Sequence, residues 1–221
     1  MSAVLDAEPT LTDLAVRLGS MPLHRLRLHP FPATEEDVIR LRDREHRLFE
    51  LVDGVLVEKA MGFREGYVAA MIIAILQHFV GPRKLGVVNG ADGMMRLAPG
   101  LVRIPDVSFC KWEQFPNHKV PPTPIPDIHP DLAVEVLSQS NTDDEMDDKL
   151  EDYFNNGSSL VWLVDPKTRS ALVFTSPDRE TATKLVEGQR LDGGTLLPGL
   201  TIPLADIFAE LDPQSPSEPS P

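Results

Sequence analysis

The sequence predicts an α/β (α+β) domain built on a mixed central β-sheet flanked by helices. Three observations carry that expectation. Short apolar β runs bounded by turn residues recur along most of the chain, only a few helical patterns interrupt them, and no repeat period appears. One run, "LAVEVLS", is apolar on both faces apart from Glu135, as befits a central strand covered on each side. The length of 221 residues, with 42% apolar and 25% charged residues, suits one main domain with appendages.

In chain order, residues 1–30 read as an N-terminal extension holding one short helix, "TLTDLAVRLGS", capped by Thr10 or Thr12. "PATEEDVIRLRD" opens the domain as a helix, with Thr34 as cap and acids in its first turn. "RLFELVDGVLVEKA" is two β runs around Asp53-Gly54, a strong hairpin signal. Gly66–Val80 is the main hydrophobic helix, stopped by Gly81-Pro82 and expected to lie against the sheet with its other face covered. Strands follow at "LGVVNG", "MMRLAP" and "VRIPDVSFC". "EQFPNHKVPPTPIPDIHP", with six prolines in 18 residues, is an irregular loop. Then come "LAVEVLS", a helix over Asp143–Asn155, a hairpin of "SLVWLVDP" and "SALVFTS", a strand in "TKLVEG", and a turn with a short helical tail in "LLPGLTIPLADIF". The domain spans residues 31–211, and the proline- and serine-rich residues 212–221 form a disordered tail.

Composition narrows the function classes. Thirty-four acidic residues against 21 basic ones give a net charge of −13, which disfavours nucleic-acid binding through bulk electrostatics. Local basic spots at "HRLRLHP", "RLRDREHR" and "GPRK" read as solvated faces and helix ends. The single Cys110 excludes an intramolecular disulfide and a Cys-based zinc cage. The apolar run "YVAAMIIAIL" is about half the length of a bilayer span and reads as a core helix. No basic, apolar leader is visible at the start. The expectation is a cytoplasmic protein with no membrane association.

Three residues stand out chemically. Glu135 sits in the two-sided apolar strand, where an unpaired carboxylate is expensive. Asp106 follows Pro105 in a second apolar run, "VRIPDVSFC". Two acids on neighbouring strands can gather a hard divalent cation. On a helical wheel with Met146 at 0°, Leu150 falls at about 40°, Phe154 at about 80° and Tyr153 at about 340°. Lys149, at about 300°, lies on the margin of that apolar stripe and can aim its ammonium at the Glu135 strand. Together these residues describe a site for metal-assisted phosphodiester hydrolysis, with Mg²⁺ or Mn²⁺ held by Asp106 and Glu135 and Lys149 stabilising charge.

The ordered motifs "FELVDGVLVE", "RIPDVSF", "DLAVEVLSQSNTDDEMDDKLEDYFNNG", "VWLVDP" and "LPGLTIPLADIF" resemble the Uma2 family of restriction endonucleases, similar in fold to the PD-(D/E)xK nucleases. The resemblance runs from about Glu35 to Phe208. It implies a restriction-endonuclease-like core, with Asp106 as the "PD" acid and Glu135 as the second acid, both metal ligands. It adds Glu50, from the first hairpin, as an auxiliary acid acting through water. It places Ser138 and Tyr153 around the site, and Lys149, Tyr153 and Gly157 in a "K…Y…G" pattern. Two departures are visible. Leu137 stands where most of the superfamily has the E-x-K lysine, so that role passes to Lys149. Glu65 stands near the position where relatives often carry a histidine. The other histidines show no metal-ligand spacing.

The sequence therefore reads as a Mg²⁺- or Mn²⁺-dependent endonuclease acting on DNA. The resemblance implies a homodimer. The alternative is a catalytically inactive module that binds nucleic acid or protein with the same fold.

Overall fold

A computed structural model describes residues 22–27, 30–59 and 61–211, with the isolated positions 13 and 18. The helix expected in residues 10–20 and the tail 212–221 lie outside the described residues, those two positions aside. Two main sheets organise the chain. The first contains β1 (Leu26–Arg27), β2 (Phe49–Val52), β3 (Val55–Glu58), β5 (Met95–Ala98) and β6 (Leu101–Arg103), in the order β1-β3-β2-β6-β5 and antiparallel throughout. The second contains β4 (Gly86–Gly90), β7 (Val107–Lys111), β8 (Leu132–Val136), β9 (Leu160–Asp165), β10 (Ser170–Phe174) and β11 (Thr183–Val186). Its order is β11-β10-β9-β8-β7-β4, with β8 and β9 parallel and the other neighbours antiparallel, so the sheet is mixed. A small pair, β12 (Arg190–Asp192) and β13 (Thr201–Pro203), closes the chain before helix α4 (Leu204–Phe208).

Three longer helices join these layers. Helix α1 (Glu35–Glu45) starts at Thr34, whose hydroxyl accepts from the Asp37 N–H while the Asp37 carboxylate accepts from the Thr34 N–H. This reciprocal cap satisfies two N–H groups that the first turn leaves unpaired. Helix α2 (Phe63–Arg83) links the two sheets, and helix α3 (Asp143–Asn155) makes the crossover between β8 and β9. A parallel pair needs such a crossover, which a hairpin turn cannot supply.

Strand β8 lies between α2 and α3, and its alternation sorts side chains onto the two. Leu132, Val134 and Val136 pack with Val68, Ile72 and Leu76 of α2. Ala133 packs with Met146, Leu150 and Tyr153 of α3. Each fully buried Leu or Val here contributes roughly 1.5–3 kcal/mol relative to exposure. Glu135 points to the α3 side, which decides what it meets.

Two boundaries differ from the sequence expectation. Helix α2 runs through Gly81-Pro82 and ends only at Lys84, in the left-handed conformation at φ 53°. A proline this near the end removes one helical N–H, and the Arg83 guanidinium donates to the Phe79 carbonyl at 3.0 Å. The outer side of α2 keeps Ala70, Ala74, Gln77 and His78 exposed rather than covered. "VRIPDVSFC" is two strands, because the chain leaves the first sheet at Arg103 and enters the second at Val107. Pro105 has no N–H to offer a ladder, so the break falls there. Asp106 thereby sits in the seam between the sheets.

Candidate active site

The site begins with the first hairpin. Asp53 (φ 51°) and Gly54 (φ 77°) make a two-residue turn that both require left-handed geometry to close. That turn sets Glu50 opposite Val57, and Lys59 lies two residues further along the same face. The Lys59 N–H donates to the Leu48 carbonyl at 2.9 Å, which carries the ladder past Glu58. Strand β6 brings Arg103, the seam brings Asp106, and β8 brings Glu135. Helix α3 contributes Lys149 and Tyr153, one turn apart on a single face. Its own start is fixed by Thr142, whose hydroxyl accepts from the Glu145 N–H at 3.1 Å.

These side chains meet in one buried cluster. The Lys59 ammonium stands 2.7 Å from Asp106 Oδ1 and 3.2 Å from Glu135 Oε2. The Lys149 ammonium stands 3.0 Å from the same Glu135 oxygen and 3.5 Å from Glu50 Oε1. The Tyr153 hydroxyl donates to Glu135 Oε1 at 2.5 Å. Asp106 Oδ2 accepts from the Val136 N–H at 2.6 Å, which ties the seam to the end of β8. Glu50 accepts from the Ile104 N–H at 3.0 Å and from Arg103 Nη1 at 2.8 Å. Arg103 Nε also donates to Asp152 Oδ2 at 2.8 Å. Three acids (Glu50, Asp106, Glu135) and three cations (Lys59, Arg103, Lys149) thus neutralise one another in the interior.

The electrostatics follow from that arrangement. Burial opposes ionisation of Glu135, yet Lys149 and Lys59 outweigh it and hold its carboxyl below the ordinary range. Burial opposes Glu50 as well, and Lys149, Arg103 and Lys59 hold its carboxyl well below the ordinary range. Asp106 goes the other way: burial pushes its carboxyl up, with the nearby Glu135 charge adding to the effect against Lys59. Burial alone would discharge Lys59, but Glu135, Asp106 and Glu50 keep it firmly protonated.

The structure brings Asp106, Glu135, Lys149, Glu50 and Tyr153 together. Lys149 is not marginal, since only 2% of its surface is exposed. An ammonium can be buried so deeply because two carboxylates receive it. Ser138 lies at the rim, and its hydroxyl bonds Asn141 Oδ1 and Ser140 Oγ, both at 2.9 Å. Gly157 adopts φ 109°, and a Cβ there would lie 2.7 Å from His129 Nε2, so its place in the "K…Y…G" pattern is conformational. Sequence reasoning missed Lys59 and Arg103. The signal was present, because a two-residue turn at Asp53-Gly54 fixes which residues share the face of Glu50.

Asp106 and Glu135 both reach a single cationic nitrogen, so their oxygens converge on one cation position. Two carboxylates completed by water or phosphate oxygens form a donor set that suits Mg²⁺ or Mn²⁺. Among the described residues no group of three or more His, Cys, Asp or Glu side chains is arranged to hold a metal. Glu50 engages Arg103, Lys149 and a backbone N–H, and so stands behind the converging pair. A small cavity of about 10 Å³, roughly one water's room, is bounded by Lys59, Asp106, Glu135 and Lys149. Glu65, Ser138 and Asn141 line both it and a cleft of about 670 Å³, whose walls also carry Arg64 and Lys167. Arg25 closes the rim through a two-pronged bond to Glu145, at 2.8 and 2.9 Å.

Comparison with solved structures finds the same fold in a crystal structure from Anabaena variabilis ATCC 29413, described as a "putative nuclease belonging to DUF820". The two share 17% identity and a TM-score of 0.65, over 73% of this chain and 90% of that one. No curated protein matches the chain. The family model described as "Putative restriction endonuclease" matches residues 35–205, which include every member of the charge cluster from Glu50 to Tyr153. The chain belongs to the Uma2 family.

Proposed function

We propose that this protein is a metal-dependent endonuclease that hydrolyses DNA phosphodiesters in the cleft above Asp106 and Glu135. One observation carries the reading: two carboxylates, Asp106 from the seam between the sheets and Glu135 from β8, converge on a single cation position, with Lys149 beside them and a cleft adjoining. Asp106 and Glu135 would hold Mg²⁺ or Mn²⁺, which when bound polarises a phosphodiester and lowers the pKa of water. Lys149 brings positive charge next to Glu135, where it can stabilise charge developing on the phosphate. Tyr153 fixes the rotamer of Glu135 by occupying its second oxygen. Glu50 Oε1, 3.5 Å from the Lys149 ammonium, holds that side chain in place. Among the described residues, Arg64 and Lys167 are the cationic side chains on the cleft wall, suited to phosphates entering the site. The reading includes a homodimer, in which two sites would address two strands; light scattering on the purified chain tests it.

A second reading has its own support. The cluster is charge-balanced without a metal and the chain is strongly acidic, which fits a binding module that has kept the fold. One assay separates them. DNA is incubated with Mg²⁺ or Mn²⁺ and the wild type, Asp106→Ala or Lys149→Ala. Cleavage by the wild type that falls roughly 100-fold or more in both variants supports the nuclease. Equal traces in all three proteins point to a contaminant and reject it.

A further inference from the structure

We propose that Lys59 is a built-in counter-cation that occupies the metal position of this site and must leave it for a divalent ion to bind. The proposal rests on the metal-binding reading above, but not on nuclease activity. Lys59 touches Asp106 Oδ1 and Glu135 Oε2, the two carboxylates that a metal would use. Lys149 has an independent partner in Glu50, so it can stay in place when a metal arrives. Lys59 cannot, because an ammonium and a divalent ion would compete for the same two oxygens and repel each other strongly at contact distance.

The local chemistry permits the exchange. Lysine carries its charge on a flexible four-carbon stem. Lys59 follows the last residue of β3 and precedes the first turn of α2; its N–H stays tied to the Leu48 carbonyl, so the exchange needs only its side chain to move. The small cavity next to it adjoins the cleft, the two sharing Glu65, Ser138 and Asn141 as lining. A displaced ammonium can move that way without crossing the core, and there it would face any phosphate that enters. The consequence is a site whose acids are satisfied without metal and whose metal affinity is held down by its own lysine.

The test measures metal binding, not cleavage. Mn²⁺ is titrated into the full chain, its free concentration followed by electron paramagnetic resonance, for wild type, Lys59→Met, Lys59→Gln and Lys149→Met. The expected result is binding at least tenfold tighter in Lys59→Met than in wild type, with Mn²⁺ raising its melting temperature more. Lys149→Met removes the same charge without clearing the position, and is expected to gain clearly less. If Lys59→Met proves unfolded without metal, Lys59→Gln, which can still donate to the carboxylates, is read instead. Unchanged or weaker Mn²⁺ binding in the folded Lys59 variant overturns the proposal. An equal gain in Lys149→Met overturns it too, by showing a general charge effect. An inactive chain whose Lys59 variant binds Mn²⁺ tightly upholds it, which separates this outcome from failure of the nuclease reading.

Discussion

Tyr153 donates its hydroxyl to Glu135 Oε1 at 2.5 Å, so a residue of α3 determines which way a carboxylate of β8 points. The other oxygen of Glu135 is thereby left to Lys59 and Lys149. Tyr153→Phe keeps the ring and removes only this bond to a charged group. The expected cost is about 1.5–3 kcal/mol, read as a lower urea midpoint with unchanged slope.

Acid should act on the cluster through Glu50. Its carboxyl is held well below the ordinary 4.5, because Lys149, Arg103 and Lys59 outweigh the burial that opposes its charge. A depressed folded-state pKa contributes stability above pH 4.5 and loses it as pH falls. Glu50→Gln is therefore expected to be destabilised at pH 7, with the gap from wild type closing as pH drops from 4.5 towards 2. Melting temperatures across that range check it; a gap independent of pH would count against the ionic account.

Asp148 should show the opposite sign. Burial first, then the charges of Asp152, Glu151 and Asp144 against Arg103, push its carboxyl up from 3.8 to about 6. A raised folded-state pKa means stability that is present below pH 3.8 and lost as pH rises through about 6. Asp148→Asn is expected to melt higher than wild type at pH 7–8, with the advantage fading through pH 6 and gone below pH 4.

The pair of Arg25 and Glu145 should behave as a unit. Glu145 is 1% exposed, and Asn141 Nδ2, at 3.2 Å, is its other side-chain partner. Arg25→Met leaves a buried charge and is expected to cost about 3–5 kcal/mol, while Arg25→Met with Glu145→Leu should recover most of that. Denaturant unfolding of both variants and of Glu145→Leu closes the double-mutant cycle.

Much of this was legible in the residues. The alternation of "LAVEVLS" identified β8 and its two covered faces, because a strand with apolar residues on both sides has nowhere polar to put them. Asp53-Gly54 announced the first hairpin, and Thr34 the cap of α1, since both are local backbone chemistry. The anomalous charges Asp106, Glu135 and Lys149 were visible for the same reason: each contradicts its apolar surroundings.

What the sequence by itself determined is therefore local: the elements, their buried faces, and the presence of acids where acids are costly. Tertiary structure alone decided how those charges pair. It split "VRIPDVSFC" at Pro105 and placed Asp106 in the seam between two sheets. It drew Lys149 from the helix margin into the interior, and brought Lys59 from the first hairpin between the two acids. The physical reason is that periodicity reports only which side of an element a residue faces. Which charge waits on that side depends on residues far away in sequence: 76 positions separate Lys59 from Glu135, and only the packing of the two sheets brings them within reach.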